Sequence, residues 1–303
     1  MDNLPLVSVP VVTYNSSKYV LETLESIKAQ TYQNIELIVS DDCSTDNTVK
    51  ICRKWIEENA NRFVRTELIT SPTNTGISAN LNRAEAACTG EWVKPIAGDD
   101  LLLPDCIKSF YEFVRIHSDA YFVFSKIEIF GGTQEQRDFF AKYFDESFFS
   151  CSPEEQYNWL VFKNNNAIPA SSFFYNLNHS RELGIVNDER IPLLEDWPKW
   201  INILKKGEHF SFLNKETVCY RMGGICNASS SLRFAQSNRL FYWYYLFPER
   251  YSRNPEKTIE EVKEYEMGMF SHWVFENKTK NTSAYKAYDK IRVSFVKIKS
   301  LFR

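Results

Sequence analysis

Three acidic pairs are the residues of this chain that are most clearly suited to catalysis or metal binding. Asp41-Asp42 follows the apolar run 35–39, Asp99-Asp100 follows the apolar run 92–97, and Glu195-Asp196 stands just before a helical pattern. Carboxylate oxygens suit Mg²⁺ and Mn²⁺, and one positioned carboxylate can take a proton from a hydroxyl group. Because ligands of open α/β sheets bind at the carboxyl ends of the strands, the first two pairs predict a metal-assisted site for a phosphate-bearing ligand.

The segments that must position these acids alternate between strand and helix patterns. Apolar and β-branched runs predict strands at 6–12, 35–39, 67–70, 91–97, 121–124 and 170–175. Apolar residues at helical spacing predict helices between them, and the clearest helix carries Trp197, Trp200, Ile201 and Leu204. This alternation predicts an α/β fold with a mostly parallel central sheet and helices on both faces.

Composition and charge exclude several classes of protein. With 44% apolar and 25% charged residues and a net charge of −3, the 303-residue chain is typical of a globular protein and gives no reason to expect nucleic acid as a partner. Its seven cysteines contain no CxxC pair, which argues against a disulfide framework or a zinc knuckle. The start of the chain lacks a signal-peptide pattern, and no apolar run reaches the roughly 20 residues of a spanning helix. We therefore expect a cytoplasmic protein.

Several motifs carry a resemblance to a known enzyme family. Residues 7–15 read VSVPVVTYN, residues 30–39 read QTYQNIELIV, and residues 41–46 read DDCSTD. The pattern continues with Asn74-Thr75-Gly76, Asn82, Gly90-Glu91-Trp92, Gly98-Asp99-Asp100 and the late pair Glu195-Asp196. Over residues 6–225 the chain resembles glycosyltransferase family 2, in which the second acidic motif is a DxD-type metal-binding element.

The resemblance implies a fold, a domain organisation and an activity. The fold is the GT-A (nucleotide-diphospho-sugar transferase) fold, with a catalytic domain at 1–228, whose nucleotide-binding half is 1–100 and acceptor half is 101–228. A helical, aromatic and basic extension follows at 229–303. The implied activity is inverting, metal-dependent transfer of a hexosyl or N-acetylhexosaminyl group from a nucleotide sugar, most simply a UDP-sugar. The acceptor is a hydroxyl group of a saccharide or a polyprenol-linked saccharide, in capsule, O-antigen or exopolysaccharide assembly.

The resemblance also implies roles for individual residues. Asp42 is expected to contact the base, Asp100 to ligate Mn²⁺ or Mg²⁺, and Asp99 to meet the ribose or a metal-bound water. Asp196 is expected to be the catalytic base that takes the proton of the acceptor hydroxyl. The remaining nucleotide contacts are Thr13, Tyr14, Asn15, Asn74 and Asn82, and further contacts to the sugar donor or the acceptor are Glu195, Arg221, Ser171 and Ser172.

Several of these residues have structural alternatives. An Asp pair at a strand end can simply cap a turn or a helix. Asp196 immediately precedes Trp197-Pro198 and is therefore well placed as a helix N-cap, a role compatible with catalysis. Glu195 either orients Asp196 or is an ordinary exposed glutamate, and Arg221 either neutralises a diphosphate or pairs with a surface acid.

The chain departs from the family pattern at two places. Many relatives carry a histidine in a loop after a Tyr-Arg pair, whereas residues 220–225 read YRMGGI, so a metal would depend on Asp100, phosphate oxygens and water. Residues 236–240 read QSNRL, with Leu240 where the QxxRW motif of processive synthases has Trp. This difference favours an enzyme that makes a single transfer.

The last residues predict a basic amphipathic helix. Within 284–303, apolar residues recur every three or four positions among lysines and arginines. Such a helix either lies on an anionic membrane surface, which would make the enzyme peripheral on the inner face of the plasma membrane, or packs on the protein.

Two other functions compete with glycosyl transfer. A nucleotidyltransferase that makes sugar nucleotides also uses an α/β sheet and metal-bound carboxylates, but no Gly-rich loop bearing Lys or Arg follows the first strand. A non-catalytic nucleotide-binding scaffold would share the fold. The joint presence of Asp42, Asp100 and Asp196 argues against it.

Overall fold

The computed structural model describes residues 4–141, 144–163, 166, 168–223 and 232–263. The chain divides into two compact units, Met1–Tyr245 and Leu246–Arg303. The boundary at residue 228 stays a prediction, and the basic helix predicted at 284–303 lies outside the described residues. Within the described ranges, no helix combines the length and apolar character needed to cross a bilayer.

The amino-terminal half alternates strands and helices as the sequence predicts. In order it contains β1 (Val7–Thr13), α1 (Val20–Lys28), β2 (Ile35–Asp41), α2 (Thr48–Asn59), β3 (Arg65–Thr70) and α3 (Ile77–Ala86). Every residue of β1 and β2 is buried, which explains their nearly continuous apolar sequence. Helix α1 instead buries one face, through Val20, Leu24 and Ile27.

The prediction of one continuous strand at 91–97 is wrong. It is divided into β4 (Trp92–Val93) and β5 (Ile96–Ala97), and β6 (Leu101–Leu102) follows. Pro95 has no N–H to donate to a ladder, so the strand breaks there. Beside it, the fully buried Lys94 donates through Nζ to Pro95 O at 2.9 Å and to Ser171 O at 2.6 Å. The break leaves the chain free to turn at the edge of the sheet before Asp99.

The second half of the first unit is less regular. It contains α4 (Cys106–Ile116), β7 (Phe122–Gly131), α5 (Gln134–Ala141), α6 (Pro153–Phe162), β8 (Phe174–Asn176), α7 (Leu177–Glu182), α8 (Asp196–Lys205), β9 (Ser211–Met222) and α9 (Leu232–Phe241). The strand predicted at 170–175 is mostly wrong, because Ala170–Ser172 form a 3₁₀ turn and only the end of the segment enters β8. The second unit contains α10 (Phe247–Arg253).

The described strands form one sheet in the order β3-β2-β1-β4-β8-β7-β9-β6, with β5 also paired to β1. The pairs around β1 are parallel, as are β2 with β3 and β7 with β9, whereas β8 and β6 run antiparallel to their neighbours. The predicted mostly parallel sheet is therefore confirmed. In its register Thr13 lies opposite Asp41, and Val12 lies opposite Ala97. Both acidic motifs consequently emerge at the carboxyl edge of β1.

Stacked aromatic rings form the core between the sheet and its helices. Phe174 of β8 lies between Trp92 and Phe110, with ring centroids 5.1 Å and 4.8 Å away. Trp200 of α8 packs edge-on against Phe173 and Phe124 at 4.5 Å and 5.0 Å. Helix α8, which begins with Asp196, is thereby fixed to the sheet by its buried aromatic face.

Candidate active site

Asp41 and Asp42 tie the carboxyl ends of β1 and β2 to the loops that follow them. Thr13 Oγ1 donates to Asp41 Oδ2 at 2.8 Å, which joins the two strand ends. Asp42 accepts from the backbone amides of Thr75 at 2.9 Å and Gly76 at 2.7 Å. Both aspartates are buried. Asp41 therefore holds the strand ends together, and Asp42 orders the loop that leads into α3.

The turn after β1 combines backbone strain with an exposed aromatic ring. Asn15 and Cys43 have φ of 51° and 68°, in the left-handed region that few residues other than glycine adopt. Asn15 Oδ1 accepts from Thr45 N at 2.9 Å, which joins this turn to the loop after β2. Tyr14 remains 40% exposed. Strain of this kind clusters at binding sites, and the exposed ring offers a face for a planar group.

Gly98 brings the second acidic motif against β1. A Cβ atom at this position would lie 2.8 Å from Thr13 Cγ2, so a side chain cannot be accommodated without a shift. Asp99 and Asp100 follow directly and are 7% and 3% exposed. Thr13 thus binds Asp41 through its hydroxyl group and packs through its methyl group against Gly98, the residue before the second pair.

Arg221 at the end of β9 fastens this motif from the other side. Its backbone N–H donates to Asp100 Oδ1 at 2.9 Å, and its Nε donates to Asp99 O at 2.7 Å. The guanidinium carbon lies 4.5 Å from the ring centroid of Tyr19, and Nη2 pairs with Glu22 at 2.7 Å. The surface ion pair considered from the sequence is therefore present, and the same side chain also holds the acidic motif.

The Asp99-Asp100 pair fits a divalent cation with an incomplete protein ligand set. Burial raises the pKa of Asp100, and the charge of Asp99 raises it further. Asp100 Oδ2 has no hydrogen-bond partner among the described residues, and within them no group of three or more His, Cys, Asp and Glu side chains could hold a metal. A cation here would take most of its ligands from phosphate and water, as Mg²⁺ commonly does. Its charge would also relieve the cost of burying two adjacent carboxylates.

Asp196 is the first residue of α8 and is held in one orientation. Its Oδ2 accepts from Asn166 Nδ2 at 2.7 Å, and its Oδ1 accepts from Trp197 N at 2.7 Å. Burial raises the pKa of Asp196, and burial together with the charge of Asp196 raises the pKa of Glu195. The N-cap alternative for Asp196 is wrong, because Glu195 occupies that position and makes no capping bond. A fixed carboxylate with a raised pKa is suited to accept a proton.

The loop before α8 packs on the beginning of α3. Ser78 Oγ donates to Ile191 O at 2.6 Å. A Cβ atom on Gly76 would lie 2.6 Å from Pro192 Cβ, and the φ of 93° and ψ of 165° at Gly76 are accessible essentially only to glycine. Because Asp42 binds the amide of Gly76, one contact joins the Asp42 loop to the segment that leads to Asp196.

The remaining predicted contacts are dispersed. Asn74 Oδ1 and Ser171 Oγ are buried without a hydrogen-bond partner among the described residues. Ser172 Oγ is committed to Pro169 O at 2.9 Å. Asn82 Nδ2 donates to Asn187 O at 2.9 Å, and this residue lines a separate cavity with none of the other predicted site residues. The nucleotide and substrate roles of these residues stay predictions.

Two charged residues near the site escape the sequence pattern. Arg83 on α3 donates through Nη2 to Thr75 Oγ1 at 2.9 Å and approaches Asp42 Oδ1 at 3.4 Å. Lys94 is buried beside Pro95, at the break in the strand before the second motif, and burial lowers its pKa to about 8. The signal for Lys94 is a charged residue inside an otherwise apolar strand run, which implies a buried partner. Arg83 gives no comparable signal, because it reads as an ordinary exposed helix residue.

Comparison with known proteins gives one family match. The family model described as "Glycosyl transferase family 2" matches residues 8–174. The chain is 35% identical over 117 residues to EpsE of Bacillus subtilis (strain 168), which is named as a glycosyltransferase. The aligned residues cover 39% of this chain and 41% of EpsE. It is 34% identical over 108 residues to chondroitin synthase of Escherichia coli, covering 36% of this chain and 15% of the synthase. The matched segment thus spans less than half of the length of each of these two relatives.

Solved structures share the architecture at low sequence identity. The 1–349 fragment of S. aureus TarS in complex with UDP-GlcNAc has a TM-score of 0.63 and 19% identity, covering 88% of this chain and 80% of the fragment. The mannosyltransferase PcManGT from Pyrobaculum calidifontis in complex with GDP-Man and Mn²⁺ has a TM-score of 0.57 and 20% identity, covering 78% of this chain and 63% of PcManGT. At these identities the likeness concerns the fold.

Proposed function

The chain belongs to glycosyltransferase family 2, and from this premise we propose that it transfers a sugar from a UDP-sugar to a saccharide hydroxyl group, with inversion at the anomeric carbon. The predictions of the family, the GT-A fold and glycosyltransferase activity are confirmed by the family match and the shared fold. Homologues named for polysaccharide synthesis include the chondroitin synthase. The sugar donor, metal, acceptor and stereochemistry belong to the proposal.

One arrangement carries the proposal: two buried acidic motifs meet at Thr13, at the carboxyl edge of the parallel strands. Asp41 accepts from the Thr13 hydroxyl group, and Gly98, which immediately precedes Asp99-Asp100, packs against the Thr13 methyl group. Ligands of such sheets bind outside this edge. A nucleoside diphosphate supplies the groups that this edge suits, namely a planar base for Tyr14 and phosphates that share a cation with carboxylates.

Each acid has a proposed part in binding the sugar donor. Asp42 contacts the base beside Tyr14, Asp99 meets the ribose, and Asp100 ligates Mn²⁺ or Mg²⁺. When bound, the cation would offset the negative charge of the diphosphate leaving group. The relatives support this choice, since the TarS structure contains UDP-GlcNAc and the PcManGT structure contains Mn²⁺.

Asp196 is the proposed catalytic base. It takes the proton of the acceptor hydroxyl group while the acceptor oxygen forms a bond to the anomeric carbon and the bond to the diphosphate oxygen breaks. Asn166 and the amide of Trp197 fix the orientation of its carboxylate before the acceptor arrives. Glu195 raises the local negative charge, which favours proton uptake by the pair.

The acceptor is proposed to be a saccharide or a polyprenol-linked saccharide of a surface polysaccharide. A cytoplasmic enzyme peripheral on the membrane would reach a polyprenol-linked acceptor, and the basic pattern of 284–303 supports this placement. Co-sedimentation with anionic vesicles should fall when the chain is truncated after Lys280. Equal co-sedimentation of the two chains would remove the membrane part of the proposal.

A nucleotide panel tests the sugar donor. Thermal stability should rise with UDP or a UDP-sugar in the presence of Mn²⁺, and much less with GDP or CMP, because a bound ligand stabilises the folded state by mass action. The Asp100→Asn variant should lose the contribution of Mn²⁺ while keeping a weaker response to UDP. If no nucleotide stabilises the chain, the proposed function is wrong.

The two competing functions predict different products. A nucleotidyltransferase would release pyrophosphate from UTP and a sugar 1-phosphate, whereas the proposed enzyme should release UDP from a UDP-sugar with Mn²⁺. A non-catalytic scaffold would bind the nucleotide and release nothing. We expect release of UDP and no release of pyrophosphate. Release of pyrophosphate would favour the nucleotidyltransferase, and nucleotide binding without any product would favour the scaffold.

A further inference from the structure

A cavity of about 700 Å³ lies beside α3. Among the predicted nucleotide contacts, only Asn82 lines it. Its walls come from the second half of α3, from α7, from Ile185 to Arg190, and from Asn202 and Tyr245. On α3, Asn80 faces the sheet edge, where its Nδ2 lies 3.3 Å from Thr13 O. Asn82 stands two positions later, about 200° around the helix, and lines the cavity. The cavity and the nucleotide edge therefore lie on opposite sides of α3.

The charged side chains that line this cavity already have ion-pair or hydrogen-bond partners, including Glu189, whose Oε1 accepts from Asn82 Nδ2 at 2.9 Å. Arg190 Nη2 binds Asp188 Oδ2 at 2.6 Å, and Glu85 Oε1 binds the buried Lys199 at 2.8 Å. The Arg181 guanidinium donates to Cys88 O at 3.0 Å. These commitments disfavour a phosphate or another strongly charged ligand. They favour a neutral ligand that needs hydrogen-bond partners.

One cavity-lining residue, Asn187, carries a buried polar atom without a hydrogen-bond partner in the part of the chain that the structure describes. Asn187 is 2% exposed, and its Oδ1 has no hydrogen-bond partner among the described residues. Its Nδ2, in contrast, donates to Asn82 Oδ1 at 2.9 Å. A buried acceptor left unpaired destabilises a fold, so such groups usually meet a partner. Nearby, the Tyr245 hydroxyl group joins Asn202 at 3.1 Å and Asp188 at 3.0 Å, which adds amide, hydroxyl and carboxylate groups to the same wall.

We propose that this cavity binds a neutral oligosaccharide segment of the acceptor, away from its reacting end. The inference rests on the proposed transfer to a saccharide. Neutral hydroxyl groups match the partnered charges and the amide and hydroxyl groups of the wall, and the volume lies within the range of small-ligand sites. Along the chain, the lining segment from Ile185 to Arg190 is followed by Ile191 and Pro192 and then by Glu195-Asp196. A glycan held here would therefore bind the same loop that leads to the catalytic base.

Two exposed valines provide a matched pair of variants. Val186 lines the cavity, whereas Val64 precedes β3 and does not, and each is 62% exposed. The Val186→Trp substitution would obstruct the cavity from its exposed rim without disturbing the core. Val64→Trp adds the same side chain to an equally exposed site elsewhere.

The experiment measures binding of maltotetraose, cellotetraose and chitotetraose to the full chain by saturation-transfer NMR and titration calorimetry. We expect at least one tetrasaccharide to bind, with an affinity at least tenfold lower for Val186→Trp and unchanged for Val64→Trp. Binding of UDP with Mn²⁺ should be the same in all three proteins. No tetrasaccharide binding by the wild-type chain, or equal binding by Val186→Trp, would overturn the cavity assignment. Loss of UDP binding by the wild-type chain would instead refute the proposed function.

Discussion

Replacing Gly76 with alanine should destabilise the protein at the contact between the Asp42 loop and the segment that leads to Asp196. The backbone at Gly76 has φ of 93° and ψ of 165°, a region that costs a residue with a Cβ atom about 1–3 kcal/mol. The new Cβ would also lie 2.6 Å from both Pro192 Cβ and Pro192 O, and overpacking of this kind costs about 1–3 kcal/mol. After the smaller gain from a stiffer unfolded chain, we expect a net loss of about 2–5 kcal/mol.

Gly207→Ala is the matched control for this loss. Gly207 also has a positive φ, of 85°, but no atom of the described residues lies within 4 Å of a Cβ built on it. It should therefore show the backbone effect alone, about 1 kcal/mol. Equilibrium urea unfolding monitored by tryptophan fluorescence gives both free energies of unfolding. An equal loss in the two variants would show that the contact with Pro192 does not destabilise Gly76→Ala.

The Gly76 variant should also weaken nucleotide binding. The amide of Gly76 donates to Asp42 Oδ2 at 2.7 Å, so a displaced loop would move the carboxylate proposed to contact the base. We expect the Kd for UDP with Mn²⁺ to rise in Gly76→Ala and to remain unchanged in Gly207→Ala. An unchanged Kd in both variants would separate Asp42 from base recognition.

Three further substitutions follow from the charges of the first unit. Burial acts to raise the pKa of Glu36, but hydrogen bonds from neighbours such as Ser8 lower it overall. The stability that the ionised Glu36 gives to the folded protein is therefore complete above the unfolded pKa and is lost as pH falls through the folded pKa. Glu36→Gln should therefore cost about 2–4 kcal/mol at pH 7 in urea unfolding, with the difference from wild type narrowing below about pH 4. Burial lowers the pKa of Lys94 to about 8, so the unfolded chain binds more protons than the folded chain between this pH and about 10. The free energy of unfolding of the wild type, relative to that of Lys94→Met, should therefore rise by about 2–3 kcal/mol across this pH range. A difference between the two proteins that does not change with pH would contradict this prediction. Arg221→Lys keeps the charge but removes the Nε donor to Asp99 O, so calorimetry should show about tenfold weaker binding of UDP with Mn²⁺, and an unchanged Kd would refute that role.

The sequence predicts the first half of the fold well because local and tertiary signals agree there. β1 and β2 are buried on both faces and read as continuous apolar runs, and α1 shows its buried face at helical spacing. The short connections between these elements leave parallel pairing as the natural arrangement. The positions of both acidic motifs at one edge follow directly from this pattern.

The sequence fails where long-range contacts decide the structure. β9 runs from Ser211 to Met222, yet its middle residues are polar and exposed, and its pairing with β7 is irregular at Ser125 and Lys126. No alternation of period two survives in such a strand. The 3₁₀ turn at 170–172 is equally hidden, because the backbone carbonyl of Ser171 is held by the side chain of Lys94, far away in the sequence.

For the site, residue types were predictable and partners were not. Motif spacing locates Asp42, Asp100 and Asp196, since each follows or begins a recognisable element. It does not reveal that Asn82 bonds to Asn187 in a separate cavity, because that contact depends on how the loop at 185–190 folds against α3. The clamp of Arg221 on Asp99 similarly requires the position of β9.

The Asp196→Asn variant gives the most direct test of the account. With the UDP-sugar that stabilises the wild-type chain, the variant should bind UDP and Mn²⁺ with an unchanged Kd, because Asp196 is proposed to act on the acceptor alone. Its rate of sugar transfer should fall by about 10²–10⁴-fold, the usual contribution of a general base. Glu195→Gln serves as the neighbouring control and should retain more activity. Normal turnover by Asp196→Asn would contradict the assignment of the catalytic base.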